Sequence, residues 1–150
     1  MINLNPKEKW MLSALREADK ALKLDEVPIG AIVIKKNNII GRGFNQVEKL
    51  NDATAHAEII AISSAANTSE DWRLDDCSIY VTKEPCFMCF GAILKARIKK
   101  IFYGMPDLEK GFNVFYQKNN FFAPHLEYVE GNVLGFESKK IIQDFFKKKR

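Results

Sequence analysis

The run Ser78-Ile-Tyr-Val-Thr82, followed by Lys83-Glu84 and then Pro85-Cys86-Phe87-Met88-Cys89, decides how this chain folds. Ser78 to Thr82 is short, β-branched and aromatic, which reads as a buried strand. Proline suits the first turn of a helix, and Pro85 opens a segment that reads as helical to about Arg97. Ile98 to Tyr103 is strand-like again. A strand, a helix and a strand in this order belong to a sheet covered by helices.

Working outward, the same alternation continues. Pro6 begins a segment with Met11, Leu12, Leu15, Ala18 and Leu22 at helical spacing. Val27 to Ile34 and Ile39 to Phe44 read as two strands of a hairpin around Lys36-Asn-Asn38. Thr54 to Ala66 reads as a helix, Leu126 to Val129 as a further strand, and Glu137 to Lys148 as an amphipathic helix. Between Pro106 and Pro124 the pattern is unassigned and rich in Phe and Asn. The chain shows no repeat, low-complexity segment or linker, so one domain over residues 1–150 is expected.

Composition narrows the class. At 47% hydrophobic and 28% charged, the chain has the balance of a globular protein able to bury a core. Its longest uncharged apolar runs, such as Ile29 to Ile34, are too short to span a bilayer. Lys7, Glu8 and Lys9 stand where a signal peptide would turn apolar. A cytoplasmic protein is expected, and there a Cys-x-x-Cys pair reads as metal-binding or catalytic rather than as part of a disulfide framework. The 23 basic residues against 19 acidic ones give a net charge of +4. The basic residues gather at Lys95, Arg97, Lys99 and Lys100 and at Lys147 to Arg150. Such clusters are either solvated faces or phosphate contacts.

Three residues have the chemistry of a metal site. Cys86 and Cys89 stand at i and i+3, where helical side chains share a face. A helix N-terminus favours the thiolate, the form that binds metal. The chain has two histidines, and His56 opens a helix in Thr54-Ala-His-Ala-Glu58, as Cys86 opens another. Zinc takes nitrogen and sulfur ligands tetrahedrally; a structural site closes with four protein ligands, whereas a catalytic one leaves a position for water. Cys77 and His125 are the candidates for a fourth ligand, with a core thiol and a loop histidine as their ordinary readings. Three ligands plus water is the preferred count. Glu58 would then take and return the water's protons. However, i and i+2 on a helix point apart, so His56 and Glu58 serve one ion only if the helix N-terminus faces it.

His56-Ala-Glu58 with Pro85-Cys-Phe-Met-Cys89 resembles the H-x-E…P-C-x-x-C signature of the cytidine deaminase superfamily. Within that superfamily, about four-fifths of the chain is similar to the bacterial tRNA-specific adenosine deaminases. The likeness is carried by Glu26-Val-Pro-Ile-Gly-Ala31, Gly43-Phe-Asn45, Ala53-Thr-Ala-His-Ala-Glu-Ile59, Tyr80-Val-Thr82, Glu84-Pro-Cys-x-Met-Cys89, Gly91-Ala92, Arg97-Ile98 and the tail Asp144-Phe-Phe146.

The resemblance implies an α/β fold, a three-layer α/β/α sandwich around a central mixed five-stranded sheet, built into a homodimer. It implies one Zn2+ per subunit on His56, Cys86 and Cys89, with Glu58 as proton shuttle. It implies that Asn45 hydrogen-bonds the target base, Val27 walls the base pocket and Asp107 lies beside the nucleotide. Phe146, Lys149 and Arg150 match tail positions that face the RNA. The activity implied is conversion of the wobble adenosine in a tRNA anticodon stem-loop to inosine. Deamination of free guanine, cytosine or a nucleoside is the alternative, and a non-enzymatic zinc-stabilised RNA-binding module the third reading. Two stretches depart from the family pattern. Lys83 replaces an apolar residue, and Phe112-Asn-Val-Phe115 replaces small ones in a segment that the resemblance puts near the substrate mouth.

Overall fold

Helix α1, Pro6–Lys23, begins where Asn5 and Glu8 each accept the other's backbone amide, at 2.9 and 3.1 Å. The structure, a computed structural model, describes residues 3–118 and 123–150. After α1 come strands β1 (Gly30–Lys35) and β2 (Asn38–Phe44), a short helix α2 (Val47–Leu50), helix α3 (Ala57–Ser69), strand β3 (Cys77–Lys83), helix α4 (Phe87–Lys95), strand β4 (Lys100–Met105), helix α5 (Asn113–Lys118), strand β5 (Tyr128–Glu130) and helix α6 (Gly135–Lys148). Helix α5 fills part of the stretch whose sequence pattern is unassigned; residues 119–122 of that stretch lie outside the described residues.

The five strands form one mixed sheet in the order β2-β1-β3-β4-β5. β1 runs antiparallel to β2 and β3, whereas β3, β4 and β5 are parallel. The hairpin turn is one residue earlier than expected. Lys36 and Asn37 both take positive φ, at 49° and 61°, and Asn38 already pairs with Lys35. Two left-handed residues match the twist of the flanking strands.

Alternation along the strands sorts the core into two layers. Ala31, Val33, Ile79, Val81, Ile101 and Tyr103 face α3 and α4, where Ala57, Ala61, Phe90 and Ile93 meet them. Ile32, Ile34, Tyr80 and Phe102 face the other way onto Met11 and Ala14 of α1. Helix α6 lies on that second face, its Ser138 against Gly104. This is the expected α/β/α sandwich. No described helix is long and apolar enough to cross a membrane.

Glycines bring α3 close to the sheet. A Cβ on Gly43 would lie 2.3 Å from the Ala57 carbonyl oxygen, and one on Gly41 would lie 2.4 Å from that of Ala61. The alanines of α3 answer the glycines of β2, and this contact fixes where the helix begins.

The antiparallel register of β1 and β3 gathers particular strand ends. The start of β1 and the ends of β2, β3 and β4 meet along one edge of the sheet. Helices α3 and α4 both point their N-termini at that edge. Open α/β sheets bind ligands at the carboxyl ends of parallel strands for this reason.

Candidate active site

His56 and Cys86 are the N-caps of α3 and α4, not members of the helices. Both have extended backbones, with φ and ψ of −74° and 154° for His56 and −71° and 174° for Cys86. The expected helix starts at Thr54 and Pro85 therefore move inward. Asp52 accepts both the amide and the hydroxyl of Thr54, at 2.8 and 2.7 Å, which holds that stretch in a turn. Pro85 precedes the cap, and Cys89 is the third residue of its helix.

The cap position of His56 resolves its geometry with Glu58. Because His56 lies outside the helix and Glu58 within its first turn, the two side chains need not share a helical face. His56 Nδ1 lies 3.6 Å from Cys86 Sγ and 3.4 Å from Cys89 Sγ. The three ligand atoms all fall within 4.8 Å of one another and could hold a metal ion. They form the one such cluster of three or more among the described residues. Cys77 is buried at the start of β3, the opposite end from the site, and His125 sits in a loop before β5.

The charges around the cluster are strongly biased. A hydrogen bond from Cys89 and the neighbouring His56 push the Cys86 thiol down to about 4, against the effect of burial. Cys89, hydrogen-bonded to that thiolate and buried, is pushed up. The His56 imidazole is raised by its bond to Cys86. Burial raises Glu58, which is 4% exposed. Two sulfurs and an imidazole crowd together here with a buried carboxyl beside them. A cation would relieve this arrangement by taking both sulfurs as thiolates.

His56, Cys86 and Glu58 line a cavity of about 970 Å³, with Cys89 buried behind them. Val27, Asn45, Asp107, Phe146 and Lys149 all line it. Arg150 is exposed beyond α6 and does not line it. The Asn45 side chain donates to the Val27 carbonyl at 3.2 Å and accepts the Val47 amide at 3.3 Å. Each end of the amide keeps one further hydrogen-bonding position. Asp107 accepts the amides of Glu109 and Lys110, at 3.1 and 3.0 Å, and pairs with Lys83 at 3.2 Å. Lys149 pairs with Asp25 and lies over the Phe145 ring.

Both departures find a structural setting. Lys83 ends β3 on the cavity wall, where Asp107 receives it. Phe112 is a core residue with no exposure, stacked 4.3 Å from Phe90, and Phe115 packs on Phe87 at 4.8 Å. The cluster from Lys95 to Lys100, read as a solvated face or a phosphate contact, lies away from the cavity. Arg97 and Lys99 pair with Asp75 and Asp76 at the start of β4, the end away from the cavity. Sequence reasoning missed Lys49, which an unforeseen α2 places on the wall, and Lys83 as a wall residue. The β3 pattern could have found Lys83, since the strand is followed by the ligand-bearing helix.

The mixed sheet, its two helical layers and the His-x-Glu and Cys-x-x-Cys residues meeting at one strand edge define a deaminase of the cytidine deaminase-like fold. The MafB19-like deaminase family model matches residues 5–150, and the chain belongs to that family. A tRNA-specific adenosine deaminase of Buchnera aphidicola subsp. Schizaphis graminum is 43% identical over 94% of each chain. A solved structure from studies of A-to-I editing by tRNA:A34 deaminases superposes with a TM-score of 0.81 and 38% identity, covering 89% of this chain and 98% of that one. Guanine deaminase from Bacillus subtilis matches with a TM-score of 0.65 and 33% identity over 79% of each chain.

Proposed function

We propose that this protein is a zinc-dependent tRNA adenosine deaminase that converts the wobble adenosine of an anticodon stem-loop to inosine. The carrying observation is the meeting of His56, Cys86 and Cys89, where His56, Cys86 and the buried Glu58 line the cavity. The donor set fits zinc. Ideal tetrahedral bonds of about 2.3 Å to sulfur and about 2.0 Å to nitrogen set those atoms about 3.5 Å apart. The two sulfur–nitrogen separations here are 3.6 and 3.4 Å. His56, Cys86 and Cys89 would hold one zinc per subunit. When bound, zinc supplies a Lewis acid that lowers the pKa of a water towards about 7.

The chain's own residues then handle the base and the protons. The base enters unstacked, which an anticodon loop permits more readily than a duplex. Val27 packs on the base, and the free positions of the Asn45 amide hydrogen-bond it. Asp107 lies beside the ribose. Glu58 takes a proton from the attacking water as oxygen bonds to C6, and passes it to the ring nitrogen N1. A second proton, carried by Glu58 to the amino group, lets ammonia leave, so adenosine and water become inosine and ammonia. A carboxyl raised by burial is suited to both halves of this task. Phe146 and Lys149 on the cavity wall, and Arg150 beyond it, contact the RNA. The relatives named above support the deaminase reading. We further propose that the protein works as a single catalytic domain over residues 1–150, in a cytoplasmic homodimer.

The test is incubation of the zinc-loaded protein with a stem-loop carrying adenosine at the wobble position. Inosine is the expected product; its absence with zinc bound overturns the proposal. The likeness to a guanine deaminase favours a second reading, deamination of a free base. Removal of residues 146–150 separates the two: activity on RNA falls, whereas free-base activity persists.

A further inference from the structure

Two carboxylates that the proposed reaction does not use lie buried at the cavity rim. Glu26 is 2% exposed and Glu84 5% exposed. Neither forms an ion pair among the described residues. Burying a carboxylate is costly unless hydrogen bonds satisfy it. Here backbone amides do so. Glu26 accepts from Glu48 and Lys49 at 3.1 and 2.7 Å. Glu84 accepts from Asp107 and Asn113, both at 3.0 Å.

These four amides belong to the two cavity walls that no strand supports. Helix α2 has four residues and no side-chain cap of its own from Gln46. One turn has no independent stability, so its place depends on Glu26. Opposite it, the loop from Asp107 to Asn113 leaves β4 and folds over the start of α4. Phe112 donates its amide to the Pro85 carbonyl at 3.0 Å. Gly111 pairs with Cys86 and presses on Glu84 so closely that a Cβ there would lie 2.1 Å from Oε2.

We infer that Glu26 and Glu84 are positioning residues, each fixing one wall of the nucleotide cavity through two backbone amides: α2 with Lys49 on one side, the Asp107 loop on the other. The inference rests on the cavity being a nucleotide site. The braces act on substrate binding rather than on the chemistry. His56 and Glu58 depend instead on the packing of α3 against the sheet, and Cys89 on that of α4; of the two braced walls only the Asp107 loop reaches a metal ligand, through the pairing of Gly111 with Cys86.

The test uses Glu26→Gln and Glu84→Gln in the full, zinc-loaded chain. Glutamine keeps the size but replaces one acceptor oxygen with a donor facing an N–H. The KM for the anticodon stem-loop should rise on the order of tenfold, while kcat per bound zinc stays within about twofold; zinc content should be unchanged in Glu26→Gln, and it is measured in Glu84→Gln because the loop that Glu84 holds pairs with Cys86. Hydrogen exchange should quicken at the two amides each carboxylate holds, and not in the strands. Glu26→Asp and Glu84→Asp, which keep the charge but shorten the reach, should raise KM in the same way and serve if a glutamine variant does not accumulate. A fall in kcat at unchanged KM, or unchanged exchange at those amides, overturns the inference. Exchange needs no substrate. A wild-type protein that makes no inosine, with exchange responding as described, therefore overturns the substrate reading and not the braces.

Discussion

His56 Nδ1 lies 3.4 Å from Cys89 Sγ, although the residues are 33 apart in the chain. The approach is built by two helix starts brought to one sheet edge, each with a ligand at its cap. A metal placed there would join the starts of α3 and α4, two helices that pack on the same face of the sheet.

Chelation should therefore destabilise the fold as well as stop any reaction. A metal bound at 1,000 times its dissociation constant stabilises the native state by about 4 kcal/mol, so removing it should lower Tm by many degrees. Metal analysis should give one zinc per chain, and His56→Ala or Cys86→Ser should abolish it. Cys77→Ala should keep that stoichiometry and cost only a modest fraction of stability, because Cys77 is a buried core thiol at the far end of β3. Loss of zinc from the Cys77 variant would contradict the three-ligand site.

Replacing Glu58 with Gln separates chemistry from structure. The amide fills the same buried space and removes the carboxyl that burial raises. Deaminase activity should fall by roughly 10²–10⁴-fold, the scale of general acid–base catalysis. Tm should not drop, since no ionised group is left to desolvate. A variant that unfolds or loses zinc would instead make Glu58 a structural carboxylate.

A sheet covered by helices was legible in the sequence because its signals are local, whereas the three-layer sandwich came from the resemblance. Ser78 to Thr82 and the paired runs around Lys36 are short and β-rich, and Pro6 marks a helix start. The site was legible in residue identity but not in geometry. Nothing in Thr54-Ala-His-Ala-Glu58 shows that Asp52 holds Thr54 in a turn and delays the helix. Helix α2 was invisible because its support, Glu26, lies more than twenty residues away. The ion pairs of Arg97 and Lys99 were hidden for the same reason: their partners Asp75 and Asp76 come from another segment. The core role of Phe112 was hidden because its stacking partner, Phe90, is distant in sequence.

Two glycines should respond to alanine with opposite signs. A Cβ at Gly43 would meet the Ala57 carbonyl oxygen at 2.3 Å, a backbone atom that can yield only if α3 moves. Gly43→Ala should cost about 1–3 kcal/mol and weaken zinc binding, because Ala57 is flanked by His56 and Glu58. Gly91, exposed within α4, would place a Cβ in open space, with no atom within 4 Å. Gly91→Ala should stabilise by about 0.5–1 kcal/mol through helix propensity and leave zinc affinity unchanged. Thermal unfolding and zinc titration of the two variants side by side check both signs.

The Lys83–Asp107 pair at 3.2 Å should make stability respond to acid. Burial opposes ionisation of Asp107, but the amides of Lys110 and Glu109 and the Lys83 ammonium outweigh it and hold the carboxyl below its ordinary value of 3.8. A depressed carboxyl pKa stabilises the fold above the unfolded-state value, and that contribution is lost as pH falls through the folded one. Asp107→Asn keeps an oxygen for the two amides and removes the charge. The variant should be less stable than wild type by about 0.5–1 kcal/mol at neutral pH, the scale of a partly exposed pair. The gap should close as pH falls below about 4, where the wild-type carboxyl protonates as well. Lys83→Leu should reproduce the loss at neutral pH and, in the double variant, add little to it, because both changes remove the same pair. Denaturant unfolding of the four proteins across a pH range from about 3 to about 7 is the measurement. Two independent losses that simply add would show that Lys83 and Asp107 stabilise the wall separately rather than through each other.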